Sequence, residues 1–205
     1  MKYTVVIPTL GLSPRTTKLL AALCLCEKVE KIILIHNTVT ELSKITFDKI
    51  IHVSFHKNLF VNKSWNIGVL LAETEFVALC NDDINFDPDI AFSVNVGDCI
   101  VGQSWDNYQL KKQEQKFCRT SVIETRPHGW GCLLLFRKEL YKPIPEDLLI
   151  ACGDDWLFQE MQPAQMNDLM IETEMSTSCS TGDFYLQCEK DIEIFKTKYK
   201  RNGTL

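Results

Sequence analysis

Two pairs of adjacent carboxylates, Asp82-Asp83 and Asp154-Asp155, are the residues of this 205-residue chain whose types and spacing suit chemistry. The first pair, preceded by Asn81, ends the unbroken apolar run Phe76-Val77-Ala78-Leu79-Cys80. Such a run, without alternation, suits a strand buried on both faces of a parallel sheet. Open α/β sheets bind ligands just beyond the carboxyl ends of their strands, and hard oxygen donors there suit Mg²⁺ or Mn²⁺ beside phosphate. Asp83 and Asp82 are the expected metal ligands. The second pair, in Gly153-Asp154-Asp155-Trp156, opens a predicted helix. The helix dipole favours an anion there, and a carboxylate can act as general base. Helix caps and solvated acids are the alternative reading of either pair taken alone.

The elements that must position these acids follow from the pattern of apolar residues. Thr4-Val5-Val6-Ile7, ended by Pro8 and opened by Thr9-Leu10-Gly11, reads as a central parallel strand. Ser13-Pro14 predicts a helix start by cap and proline, with Leu19, Leu20 and Leu23 facing inward. Ile32-Ile33-Leu34-Ile35 is a second buried strand, ending at His36-Asn37, and Ile51-His52-Val53-Ser54-Phe55 a third that alternates. A helix over 58–72 follows, with Asn62 as a candidate cap and Trp65, Val69 and Ala72 on one face. Asp87-Pro88-Asp89 predicts another helix start, and Cys99-Ile100-Val101-Gly102 and Cys132-Leu133-Leu134-Leu135-Phe136 predict further strands. Residues 103–125 are polar and read as solvated surface. A last helix carries Tyr185, Cys188, Ile192, Phe195 and Tyr199 at steps of three and four.

The expected architecture is α/β, a single domain over 1–205 with a mostly parallel central sheet flanked by helices. A net charge of −5, from 22 basic and 27 acidic residues, leaves no basic footprint for nucleic acid. The nine cysteines sit partly inside apolar runs and show no Cys-x-x-Cys spacing, so they read as packing in a reducing, cytoplasmic setting. No apolar run approaches the roughly 18 residues of a membrane span, and the chain enters a strand directly, without the pattern of a signal peptide.

Taken in order, Val5-Val6-Ile7-Pro8-Thr9, then Asn58 and Asn66-x-Gly68 on a helix, then Asn81-Asp82-Asp83, then Asp154-Asp155-Trp156, the residues resemble the GT-A glycosyltransferases of the family 2 type. The resemblance covers roughly residues 3–160, the length of an ordinary domain. It implies a Rossmann-like GT-A domain that moves a sugar from a nucleotide-diphosphate donor, a UDP-sugar, to a hydroxyl of a glycan acceptor. It also implies a donor half over about 1–102 and an acceptor half with the C-terminal helix over about 103–205. Asn81 and Asp83 match the ends of the family's Asp-x-Asp motif, which holds Mn²⁺ or Mg²⁺ on the diphosphate. Pro8 and Thr9 match the turn bordering the nucleotide base. Asp154 and Asp155 match the acidic pair that supplies the base for inverting transfer. Two positions depart from the pattern: His36 stands where the family has Asp at the end of its second strand, and Asn81 replaces the first Asp of the metal motif.

The remaining donor candidates are Gly11, His36, Asn37, Asn58 and Asn66, with Asn81 and Asp82 beside the metal. An asparagine at a helix start is the alternative for Asn58 and Asn66. On the acceptor side stand His128, Trp130 and Gly131, with Trp130 either a stacking face for a sugar or a core residue. A sugar nucleotidyltransferase is the rival enzyme class, but Thr9-Leu10-Gly11-Leu12-Ser13 lacks the glycine-rich basic loop it needs. An inactive carbohydrate- or nucleotide-binding module is the other rival, and the two acidic sites argue against it.

Overall fold

The protein, described from a computed structural model, is defined over residues 1–103, 115–127, 129–173 and 182–201. Strand β1 (Tyr3–Thr9) is buried along its whole length. Parallel neighbours β2 (Val29–His36) and β4 (Phe76–Cys80) flank it, and β3 (Ile50–Ser54) adds in parallel beyond β2. The remaining strands are β5 (Ile84–Asn85), β6 (Ile100–Gln103), β7 (Thr120–Ile123), β8 (Leu133–Arg137), β9 (Ala164–Asn167) and β10 (Glu172–Thr173). They complete an eight-stranded sheet of order β3-β2-β1-β4-β8-β6-β9-β7, with β5 and β10 forming a separate antiparallel pair. The sheet is mixed but mostly parallel. Strand β8 runs antiparallel to both β4 and β6. β3 lies at an edge, which explains why none of its residues is buried and Ile51 is exposed.

Residues alternate between the two faces of the sheet, so β1 feeds two cores at once. Val5 and Ile7 pack with Leu19, Leu20 and Leu23 of helix α1 (Thr16–Leu25). Val6 packs on the other face with Trp65 and Val69 of α2 (Phe60–Leu71). Helix α2 lies so close to β1 that a Cβ on Gly68 would stand 2.1 Å from Val6 Cγ1. Three further helices, α3 (Pro88–Ala91), α4 (Gly153–Glu160) and α5 (Gly182–Ile194), complete the layers. No helix among the described residues is long and apolar enough to cross a membrane.

Three local expectations need correction. Helix α1 starts at Thr16, because Ser13 Oγ accepts from the Arg15 N–H at 3.2 Å and closes a turn ahead of the helix. Asn62 is a buried residue inside α2, not its cap, and its Nδ2 donates to the carbonyls of Leu148 and Ala151 at 3.1 and 3.2 Å. The last helix docks only in part through the expected apolar stripe: Phe195 is buried in the core and Tyr199 packs against it, but Tyr185 and Ile192 are exposed, while Asp191 is fully buried. The Asp191 Oδ2 accepts from the backbone N–H groups of Leu149, Ile150 and Ala151 at 3.1, 2.6 and 2.9 Å. A charge-assisted anchor of this kind holds the helix where apolar area is scarce.

Candidate active site

The parallel register that sets Val6 against Leu79 carries Thr9 past the end of β4, beside the first acidic pair. Thr9 Oγ1 donates to Asp82 Oδ2 at 2.5 Å and accepts from the Gly11 N–H at 2.8 Å. Thr16 Oγ1 donates to the Asp82 carbonyl at 3.0 Å, so the start of α1 holds the same turn. Gly11 has φ +69°, and a Cβ there would meet Thr40 Cγ2 at 2.4 Å, which restricts the position to glycine. Burial pushes the Asp82 carboxyl up to about 6; the Thr9 hydrogen bond opposes the rise and the neighbouring Asp83 charge adds to it.

Above these residues opens a cavity of about 690 Å³ whose floor includes Pro8, Thr9, Asn81, Asp82 and Asp83. That volume suits a small-molecule ligand. A second wall carries Asn37, Asn58 and Phe60. Asn37 ties the wall together: its N–H donates to the Thr9 carbonyl at 2.9 Å and its Oδ1 accepts from Leu59 N–H at 3.0 Å and Ser64 Oγ at 3.2 Å. Asn58 Oδ1 accepts from the Phe60 N–H at 2.8 Å, supporting a φ of +60° that is costly for an aromatic residue. A third wall comes from α5, through Asp183, Phe184, Leu186, Gln187 and Lys190. A second recess of about 520 Å³, reached past Leu10, Asn37 and Asn58, extends toward His56 and Lys57.

The second acidic pair sits on the first turn of α4. Cys152, at φ +60°, turns the chain into the helix, and a Cβ on Gly153 would lie 2.1 Å from Asn62 Oδ1, so the entry requires glycine. Arg126 grips both acids, its Nε 2.5 Å from Asp155 Oδ1 and its Nη1 2.9 Å from Asp154 Oδ2. Burial raises the Asp155 carboxyl above its ordinary value, the Asp154 charge adds to the rise, and Arg126 opposes it.

The two acidic pairs meet through Cys132. The Asn81 N–H donates to the Cys132 carbonyl at 3.0 Å, joining the ends of β4 and β8. The Cys132 thiol is pushed up to about 12 by burial and by the charges of Asp83 and Asp154 together. Next to it, Gly131 lies against Asp154, where a Cβ would stand 2.7 Å from the Asp154 Cβ.

The fold thus brings Pro8, Thr9, Asn37, Asn58, Asn81, Asp82 and Asp83 to one cavity, with Gly11 supporting its floor. Asp154, Asp155 and Gly131 form the second acidic site and are not among the residues that line the cavity, and three further candidates lie elsewhere. His36 is buried behind the cavity, its Nε2 2.9 Å from His52 Nδ1 and its Nδ1 3.4 Å from Thr40 Oγ1. Asn66 does not face the cavity: its Nδ2 donates to the Ile144 carbonyl at 2.8 Å, and its Oδ1 accepts from Tyr141 Oη at 2.7 Å and Ile144 N–H at 2.8 Å. Trp130 is fully buried, edge-on to Phe158 and covering Gly102, with Nε1 donating to the Gln165 carbonyl at 3.1 Å. It presents no face to a sugar. His128 lies outside the described residues.

Arg126, Asp191 and Lys190 do not stand out in the sequence, and Asn62 stands out there only as a candidate cap. Asn62 shares a helix face with Trp65 and Val69, and Asp191 falls between Cys188 and Phe195. A polar residue on an inward stripe was the available signal. No sequence signal marks Arg126.

Among the described residues no three His, Cys, Asp or Glu side chains gather as a metal cluster. The donors beside the cavity are two carboxylates and the Asn81 amide; the Asp82 carboxyl is raised first by burial, with the Asp83 charge adding to it. Such a set fits a hard divalent ion that takes its other ligands from phosphate oxygens and water.

No protein-family model and no curated protein matches the sequence. Solved structures do. S. aureus TarS matches with a TM-score of 0.62 at 16% identity, over 98% of this chain and 41% of TarS. TarS 1-349 in complex with UDP-GlcNAc matches with 0.61 at 15% identity, over 98% of this chain and 68% of that one. GalNAc-T7 with UDP, GalNAc and Mn²⁺ matches with 0.57 at 10% identity, over 84% of this chain and 43% of that one. The chain spans less than two thirds of the length of full TarS and of GalNAc-T7. At these identities the likeness is one of fold, and the fold is that of the GT-A glycosyltransferases.

Proposed function

We propose that the chain transfers a sugar from a nucleoside-diphosphate donor, a UDP-sugar, to a hydroxyl of a glycan acceptor, with inversion at the anomeric carbon. The observation that carries this reading is a ligand-sized cavity floored by Asp82 and Asp83, whose neighbour Asn81 bonds the Cys132 carbonyl one residue from the Gly131 that packs against Asp154. The solved structures of like fold with UDP-GlcNAc, or with UDP, GalNAc and Mn²⁺, support the donor class. In this reading residues 1–102 supply most of the donor site, and residues 103–205 supply the base and the helix that walls the cavity.

Asp83 and Asp82, with Asn81 beside them, are the residues that would hold Mn²⁺ or Mg²⁺. When bound, the cation offsets negative charge growing on the diphosphate leaving group. Thr9 fixes the Asp82 carboxylate, and Pro8, Thr9, Asn37 and Asn58 border the nucleoside. Asp155 takes the proton from the acceptor hydroxyl as that oxygen attacks the anomeric carbon. Its elevated pKa strengthens it as a base, and Arg126 keeps it ionised and oriented. Asp154 shares the guanidinium and packs on Gly131. We place the chain in a reducing, cytoplasmic setting because its cysteines sit partly inside apolar runs, where a thiol packs as a small hydrophobe.

Incubation with a panel of UDP-, GDP- and TDP-sugars and Mn²⁺, with release of free nucleotide measured, tests the proposal. Release from a UDP-sugar that rises with a glycan acceptor is the expected result. The Arg126 clamp on both acids favours a second reading, a donor-binding domain whose late acidic pair is structural. Tight UDP-sugar binding without release or transfer would select it.

A further inference from the structure

Helix α5 turns one face toward the cavity: Asp183, Leu186, Gln187 and Lys190 all line it and recur at helical spacing. Their orientation is set by the next residue, since Asp191 holds the backbone of residues 149–151 and accepts from Gln187 Nε2 at 2.7 Å. Lys190 is exposed and makes no ion pair among the described residues. Other cations near the helix and the acids are committed, Lys198 to Asp147, Arg201 to Glu160, and Arg126 to Asp154 and Asp155. The described cavity lining carries Asp82, Asp83 and Asp183 against Lys190 alone, a formal balance of 1 − 3 = −2. An anionic diphosphate entering such a cavity needs positive charge from more than one side.

We propose that Lys190 is a diphosphate-binding residue, its ammonium contacting the phosphate oxygens from the α5 wall while Asp82 and Asp83 face them from the floor. The assignment rests on the donor reading above and deepens it. A lysine on a flexible stem suits this task as a mobile point charge, without the fork geometry of arginine.

Calorimetric titration of UDP and of uridine, each with Mn²⁺, into the full chain and its Lys190→Gln and Lys190→Arg variants tests the proposal. Lys190→Gln should weaken UDP about tenfold or more and leave uridine unchanged, because uridine has no phosphate. Lys190→Arg should keep most of the UDP affinity. Equal UDP affinity in Lys190→Gln and the wild type overturns the proposal. An equal loss for UDP and uridine also overturns it, since it would report a displaced helix. A wild-type chain that binds uridine but gains nothing from the diphosphate overturns it too. Failure of the wild type to bind either ligand sinks the donor reading itself, and this proposal with it.

Discussion

Arg126 meets Asp155 through its Nε at 2.5 Å while the same guanidinium reaches Asp154 at 2.9 Å through Nη1. One positive charge thus serves two carboxylates in a half-buried setting. Burial and Asp154 raise the Asp155 pKa, and Arg126 holds it down. Replacing Arg126 by Gln should therefore raise it further, so the acid limb of the kcat profile moves to higher pH. Transfer at neutral pH should fall, because more of the base is protonated. An acid limb at the same pH in the variant would exclude Asp155 as the titrating base.

Asp155→Asn keeps shape and hydrogen bonding but removes the basic lone pair, and transfer should fall about 10²–10⁴-fold. Asp154→Asn should cost less, since an amide still fits against Gly131. UDP affinity should be almost the same in both variants. A larger defect at Asp154 reverses the assignment within the pair, and near-wild-type transfer by both places the base elsewhere.

Asp83→Ala should abolish the Mn²⁺-dependent part of UDP binding while the circular dichroism spectrum and thermal midpoint stay close to wild type. Side chains at strand ends beside a cavity contribute to ligands more than to packing. Calorimetric affinity for UDP with Mn²⁺ unaltered by the substitution would exclude Asp83 as a ligand.

His36 and His52 predict a pH dependence of stability. The Ile45 carbonyl only accepts, so at 2.8 Å His52 Nε2 carries a proton; His52 Nδ1 then accepts from His36 Nε2, and His36 Nδ1 accepts from Thr40. Burial, then the neighbouring His52, lowers the His36 pKa below 6.5. The unfolded chain binds this proton more readily than the folded one, so stability is full above pH 6.5 and declines as pH falls through the folded pKa. Urea unfolding at pH 7.5, 6.5 and 5.5 should show the decline, and His36→Gln should flatten the part due to this residue. An identical pH slope in the variant would refute the relay.

The acid-bearing turn was legible because β4 is an uninterrupted apolar run that stops on three polar residues. The direction of β8 was not, since buried strands of either direction present the same apolar run. Strand β9, Ala164-Gln165-Met166-Asn167, alternates apolar and polar residues over only four positions, too short a stretch to mark a strand, and its pairing with β6 and β7 comes from the sheet around it. Trp130 had two readings because the sequence cannot show that Gly102 leaves room for its ring. His36 stands at the strand end that the resemblance assigns to base reading, but a partner 16 residues on, His52, turns it inward. The Arg126 clamp joins residues 28 and 29 positions apart and is visible once the chain is folded.

The buried carboxylate of Asp191 belongs to the helix that walls the cavity, yet it grips residues 149–151, whose next three positions deliver Asp154. The cavity wall and the chain leading to Asp154 therefore share a single joint. The helix cannot shift at this point without straining the bonds to residues 149–151, because one buried carboxylate holds all three N–H groups.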